Sequence, residues 1–327
     1  MSNLIGLDIG GTKCAVILGK MEDGDSLSIT DKIVYPTKDY PDPEAMIKQL
    51  QKAIEKILIK NRLTSNEVSG IGISCGGPLD SRTGVIMSPP NLPGWDHVPI
   101  TDEFRNKFGI PAAIQNDANA CALAEWKFGA GIGYSNIIFL TFGTGLGAGL
   151  ILDGKLYSGT NDNAGEVGHI RLDNYGPVGY GKSGSFEGFC SGGGIAQLGR
   201  IRAMEKLQMG QKVPFCSNID EIESITAEKV AEAAYKGDPV ASGIFRECGA
   251  YLGKGLSILI DVLNPELIIL GTIFTRSGDL LQPILDETIA REALPLASKV
   301  CRIVPAALNE KIGDYASLSV AAYNITQ

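Results

Sequence analysis

The chain lacks several things that would have placed it quickly. Among its 327 residues no apolar run reaches the length of a membrane span, and no basic, apolar and small-residue succession follows Met1. The expectation is a protein that is neither membrane-bound nor exported, and therefore cytoplasmic. Basic residues are outnumbered, 29 Lys and Arg against 37 Asp and Glu, for a formal charge of −8. Nucleic acid, which needs a basic footprint to displace counterions, is not an expected partner. Cys14, Cys75, Cys121, Cys190, Cys216, Cys248 and Cys301 are scattered, without a CxxC or CxC pair, so neither a disulfide framework nor a zinc knuckle is indicated. There is no low-complexity tract, which removes disorder from consideration.

What is present is a globular composition, 44% hydrophobic and 20% charged. At this length one hydrophobic core stops growing, so two domains are expected. Asn3 to Ile9 reads as a buried strand, Gly10-Gly11-Thr12 as a tight turn and Cys14 to Leu18 as a returning strand. Asp42 offers a helix cap and Pro43 a first helical residue ahead of Met46, Ile47, Leu50, Ile54, Ile57 and Leu58 at helical spacing. Strands follow at 70–74 and 112–115. Near Asn136 the opening device recurs: a β-rich run to Thr141, a glycine turn over 143–147, and a strand over 148–152. The recurrence points to an internal duplication. Helices are expected over 227–235, 242–263, 280–292 and 315–324, with a strand over 267–270. The predicted first lobe comprises residues 1–116 plus about 307–327, and the second 117–306.

Three features carry chemistry. The turn Asp8-Ile9-Gly10-Gly11-Thr12-Lys13 puts an acid at a strand end beside glycines that allow a phosphate to approach backbone N–H groups. It has neither the P-loop spacing nor a helix behind it, and a plain hairpin turn is the competing reading. Thr141-Phe142-Gly143-Thr144-Gly145-Leu146-Gly147 repeats its small residues and hydroxyls, and two such turns together suit a polyphosphate. Between them, in Gln115-Asn116-Asp117-Ala118-Asn119-Ala120, Asp117 stands where a strand gives way to a helix. It is either an N-cap or a carboxylate able to take a proton from an attacking hydroxyl.

DIGGTK at the start, SPPNLPGW over 88–95, NDAN over 116–119, TFGTGLGAG over 141–149, EVGH over 166–169 and LNPE over 263–266 together resemble the ROK family of bacterial sugar kinases and sugar-responsive repressors. The resemblance covers nearly the whole chain. It implies an α/β actin/hexokinase-like ATPase fold, two lobes each with a mixed β-sheet and flanking helices. It also implies an ATP-dependent phosphotransferase acting on a hexose, most readily glucose at O6. Asp117 would be the general base. Gly10, Gly11, Thr12 and Lys13, with Gly143, Thr144, Gly145, Gly271 and Thr272, would meet the nucleotide. Asp8 would help hold Mg²⁺ through water. The sugar would be held by Asn91, Asn116, Asp117, Glu166, His169 and Glu187, with Gly77 and Pro78 shaping the wall. A homodimer is the default assembly.

Two departures stand out. The family usually carries zinc cysteines in a CxCGxxGCxE module, and here Val178, Tyr180 and Ser185 replace all three. No structural zinc is expected, because Cys190 alone cannot rebuild a tetrahedral site. Tyr180 and Phe186 are expected to supply packing in the metal's place. Thr272 stands where the family commonly has glycine. Without the motif, His169 would read as a core histidine and Glu166 and Glu187 as surface acids. N-acetylglucosamine, N-acetylmannosamine, mannose and fructose remain open as substrates, and a sugar-responsive regulator or silent sensor is the alternative of another class.

Overall fold

The computed structural model of the chain describes residues 2–22, 26–40 and 42–326. Ser2–Ile9 (β1), Lys13–Met21 (β2) and Leu27–Pro36 (β3) form an antiparallel meander. Val68–Cys75 (β4) pairs parallel with β1, and Ala112–Asn116 (β5) parallel with β4, giving the order β3-β2-β1-β4-β5. Alternation along β1 and β2 serves two cores. Ile5, Leu7, Ile9, Val16 and Leu18 meet Met46, Leu50, Ile54 and Ile57 of the helix Pro43–Lys60 (α1) on one face. Leu4, Ala15 and Ile17 meet Leu318, Ala321 and Ala322 of the last helix, Ile312–Asn324, on the other. Asp42 caps α1 by accepting the Ala45 N–H at 2.7 Å.

Two glycines bring the last helix close to the sheet. A β-carbon on Gly6 would stand 2.3 Å from Ser317 Oγ, and one on Gly72 2.1 Å from the Ser317 carbonyl oxygen. That close approach places Gly313, in the helix's first turn, beside the Asp8 carboxylate.

The chain divides into two compact units, one of Met1–Ser135, Gly149–Ala164 and Ala307–Gln327, the other of Asn136–Ala148 and Gly165–Ala306. This differs from the sequence-based boundary after Asn116, because Asp117–Phe128 (α2) lies in the first unit. The Glu125 carboxylate on α2 accepts the N–H groups of Ala307 and Leu308 at 3.2 and 2.8 Å, tying the helix to the returning C-terminal segment.

In the second unit, Ile137–Leu140 (β6) leads into the second glycine turn. Beyond that turn Ala148–Leu152 (β7) and Lys155–Leu156 (β8) form a short hairpin assigned largely to the first unit. Leu267–Leu270 (β9) pairs parallel with β6, and Arg302–Pro305 (β10) with β9. A strand with a glycine turn after it, joined on its other side by successive parallel strands, thus occurs in both units, as an internal duplication requires. The helices here are Gly192–Gln208 (α3), Ala227–Tyr235 (α4), Pro239–Leu263 (α5) and Thr272–Glu292 (α6), the last bent at Ser277. Sequence patterning missed β3, whose outward residues alternate with half-buried ones, and α3, which opens on three glycines and lacks a clear apolar stripe.

Candidate active site

In the first unit the turn after β1 closes through Gly10 N–H to the Lys13 carbonyl at 3.0 Å. Thr37 braces it, donating its hydroxyl to the Gly10 carbonyl at 2.6 Å and its N–H to the Thr12 carbonyl at 3.0 Å. Gly11, Thr12 and Lys13 are exposed, so their backbone remains open to a ligand. Gly11 packs on Asn91: a β-carbon there would come within 2.5 Å of the Asn91 carbonyl oxygen. The Asn91 side chain in turn lies over Gly76, where a β-carbon would be 3.2 Å from both its amide atoms. The cis Gly77-Pro78 bond follows directly. One cluster of loops therefore joins the first glycine turn to Asn91, Gly77 and Pro78.

Asn116 and Asp117 stand where β5 meets α2. Asn116 Oδ1 accepts the Asn119 N–H at 2.7 Å and is the cap of α2, so the capping role considered for Asp117 belongs to its neighbour. Asp117 is the first helical residue, with Oδ1 accepting the Ala118 N–H at 2.8 Å. The side chain is reached by solvent, yet the protein packed around it desolvates the carboxyl and raises it above the usual carboxylate range, a shift that the Ala118 N–H opposes. Asp8 is pushed up to about 6, chiefly by burial, with Asp314 and Asp117 adding repulsion and Lys13 and Lys32 opposing it. Lys32 is itself held by Asp314 at 2.5 Å. The two carboxylates feel one another and neither is neutralised by a direct ion pair in the salt bridges of the described residues.

In the second unit the turn 143–147 is held from three sides. Gly143 N–H donates to the Gly145 carbonyl at 3.0 Å, Gly192 N–H to the Gly143 carbonyl at 2.7 Å, and Leu146 N–H to Glu187 Oε2 at 2.9 Å. Thr141 Oγ1 accepts the Gly147 N–H at 2.9 Å. Beside the turn lies a cavity of about 680 Å³, lined by Gly143, Thr144, Gly192, Gly193, Thr272 and Arg276, with Ala196, Ile225, Ala231, Ile273 and Phe245 among its apolar walls. The first residues of α3 and α6 both border it, so two helix N-termini lie next to the glycine turn, an arrangement that attracts phosphate. Gly271 caps α6 and donates its N–H to the Leu140 carbonyl at 2.9 Å. Sequence reasoning found Gly143, Thr144 and Thr272 but missed Gly192, Gly193 and the α4 wall. The run of glycines behind Ser191 was the available signal.

The segment expected to grip sugar is in the same unit. Glu166 precedes a short 3₁₀ turn, Val167–His169, and is exposed. His169 is exposed too, with Tyr180 edge-on at 6.4 Å between ring centroids, so it is no core histidine. Glu187 is half-buried beneath the second glycine turn, with one carboxylate oxygen committed to Leu146.

Val178, Tyr180 and Ser185, at the positions where the resemblance implies cysteines, do not fit a metal. Val178 and Tyr180 are exposed, Tyr180 at 80%, and Ser185 caps the short helix Phe186–Phe189 by accepting the Gly188 N–H at 3.1 Å. No cluster of three or more metal-capable side chains occurs among the described residues. The packing role expected of Tyr180 is therefore corrected. It falls instead to buried Phe186, against Gly255, and to Phe189, stacked on Tyr251 at 3.5 Å. Magnesium is different, since it is held by one or two carboxylates together with substrate phosphates rather than by a protein cage, and Asp8 beside an open glycine turn fits that pattern.

Each unit thus presents a strand, a glycine turn open to phosphate and a set of polar side chains, which defines a protein of the actin/hexokinase-like fold. The chain matches the ROK family over residues 4–322 and belongs to it. It is 32% identical over 293 residues to a glucokinase of Streptomyces coelicolor, covering 87% of this chain and 86% of that protein. It is also 32% identical over 294 residues to a xylose repressor of Caldicellulosiruptor bescii, covering 88% of this chain and 70% of that protein. Among solved structures, a ROK family glucokinase from Streptomyces griseus in complex with glucose and AMPPNP superimposes with a TM-score of 0.73 at 29% identity, over 98% of this chain and 100% of that one.

Proposed function

We propose that this chain is an ATP-dependent hexose kinase, transferring the γ-phosphoryl group to a sugar hydroxyl, with glucose at O6 the first candidate. The observation that carries the reading is Asp117: a solvent-accessible carboxylate whose basicity is raised by desolvation, released from helix capping by Asn116, in the same unit as the turn 10–13 and Asn91. A general base needs a carboxylate whose affinity for a proton is adequate and whose oxygen is not consumed by structure. Asp117 accepts the Ala118 N–H through Oδ1, and Oδ2 is the atom that takes the substrate hydroxyl's proton in this reading. As the oxygen attacks phosphorus, the hydroxyl proton passes to that carboxylate, and ADP leaves.

Gly10, Gly11 and Thr12, and Gly143, Thr144 and Gly145, are the phosphate-binding turns in this reading. Asp8 is the Mg²⁺-associated carboxylate, and the ion, when bound, supplies neutralisation of phosphate charge. Asn91, Asn116, Glu166, His169 and Glu187 bind sugar hydroxyls, offering both donors and acceptors. The nucleotide's base and ribose occupy the cavity walled by α3, α4 and α6. Glucose is favoured by the Streptomyces coelicolor relative and by the glucose-bound structure. The enzyme acts in the cytosol as a homodimer.

An ADP-release assay across glucose, mannose, fructose and the two N-acetylhexosamines tests catalysis and ranks substrates together. Absence of sugar-dependent ADP release with every one would end the kinase reading. The xylose repressor relative favours a second reading, a sugar-responsive regulator. A chain of charge −8 has a poor footprint for DNA, and a binding assay at moderate salt separates the two.

A further inference from the structure

The segment 166–187 keeps the spacing of a zinc module without its thiolates, yet side chains from two helices hold it. At the first replaced position, Gln197 of α3 pairs with the Val178 backbone in both directions: the Val178 N–H donates to Gln197 Oε1 at 3.0 Å, and Gln197 Nε2 donates to the Val178 carbonyl at 2.8 Å. At the other end of the loop, the Tyr251 hydroxyl of α5 donates to Asp173 Oδ2 at 2.6 Å. The Tyr251 ring stacks on Phe189, 6° from parallel, while Lys254 Nζ stands 4.5 Å from its centroid. Gly176 fits against that same Phe189 ring, where a β-carbon would come within 2.3 Å. Inside the loop, Lys182 Nζ donates to the His169 carbonyl at 2.7 Å and Arg171 to the Ser183 carbonyl at 2.6 Å.

A tetrahedral metal holds a loop by several short bonds to one point. Here two side chains from two helices hold the loop at Val178 and Asp173, on either side of the Gly176 turn. Each uses a bonding pattern that needs no cation: a paired amide in one case and a hydroxyl to carboxylate bond in the other. We infer that Tyr251 and Gln197 are positioning residues which, in place of a metal, fix the segment carrying Glu166, His169 and Glu187 and so set the affinity for hexose. The inference rests on the sugar-kinase reading of that segment.

The test uses the full chain and the variants Tyr251→Phe and Gln197→Leu. Tyr251→Phe deletes one oxygen and keeps the ring on Phe189. Each variant raises the hexose KM by about fivefold to twentyfold, the effect of one lost charge-assisted or paired hydrogen bond, while the ATP KM stays within about twofold. Asp173→Ala reproduces Tyr251→Phe, whereas Asp173→Asn retains an acceptor and recovers most of the affinity. Hydrogen exchange of peptides within 166–187 speeds up in Tyr251→Phe, and adding a zinc chelator to the parent chain leaves that exchange unchanged. An unchanged hexose KM in both variants, or a parallel rise in the ATP KM, overturns the inference. Should the parent chain phosphorylate no sugar, the kinase reading fails, and exchange within 166–187 still decides the clamp: no acceleration in Tyr251→Phe removes it.

Discussion

Asn116 Oδ1 accepts the Asn119 N–H at 2.7 Å, and by taking that bond it relieves the adjacent Asp117 of capping α2. Of two neighbouring residues that both cap helices well in isolation, only Asn116 does the capping, which leaves Asp117 for the proposed chemistry. Asp117→Asn should therefore fold normally, since its amide oxygen still accepts the Ala118 N–H. It should lower kcat by about 10² to 10⁴ fold, the range of a lost general base. Asn116→Ala should instead cost about 1 kcal/mol of stability, read as a lower denaturant midpoint.

The pH behaviour follows from Asp8. Its carboxyl titrates near 6 in the folded chain against 3.8 as the ordinary value, so between those limits the folded state binds a proton that the unfolded state has lost. Stability attributable to Asp8 is largest below pH 3.8 and falls as pH rises to about 6, by on the order of 3 kcal/mol, then levels off. Thermal melts of the parent chain and Asp8→Asn should converge at low pH and diverge towards neutrality, with the variant more stable. If Asp8 acts as a carboxylate as proposed, activity runs the other way, and kcat/KM should rise through about pH 6.

The two glycine turns should respond differently to one methyl group. At Gly11 a β-carbon meets the Asn91 carbonyl at 2.5 Å, a backbone atom that cannot step aside. Gly11→Ala should destabilise by about 1 to 3 kcal/mol and weaken hexose binding through Asn91. At Gly145 the obstacle, at 2.8 Å, is the end of the flexible Glu187 side chain. Gly145→Ala should cost less in stability while freeing the Leu146 N–H, and calorimetry with paired KM measurements distinguishes the two.

The cavity predicts a nucleotide-specific defect. Ala231 on α4 lines it, and Ala231→Trp should fill part of its volume of about 680 Å³. The ATP KM should rise at least about tenfold, a loss of about 1.4 kcal/mol or more of binding, with the hexose KM little changed. A proportional rise in both would place the nucleotide elsewhere.

Much of the candidate site is legible in the sequence because its motifs are local. Asp8 with Gly10 and Gly11, and Gly143 with Gly145, lie within single turns, where a few consecutive residues state both the geometry and the chemistry. Gly192 and Gly193 escaped notice because they reach the second glycine turn across about 50 residues of chain, through the bond from Gly192 N–H to the Gly143 carbonyl. Strand β3 was missed for a related reason: its half-buried face takes its meaning from β2, its neighbour in the sheet.

By itself the sequence determined the duplicated strand and glycine-turn plan, the position of the acid Asp117 and the absence of thiols at Val178, Tyr180 and Ser185, because each is written in adjacent residues. The tertiary structure alone decided that Asn116 caps in place of Asp117, that burial lifts Asp8 towards neutrality, and that Gln197 bonds the Val178 backbone while Tyr251 bonds Asp173. Those outcomes depend on which groups fold against one another and how much water they exclude. Hydrogen bonding and desolvation are properties of a place in space, and no local stretch of chain contains them.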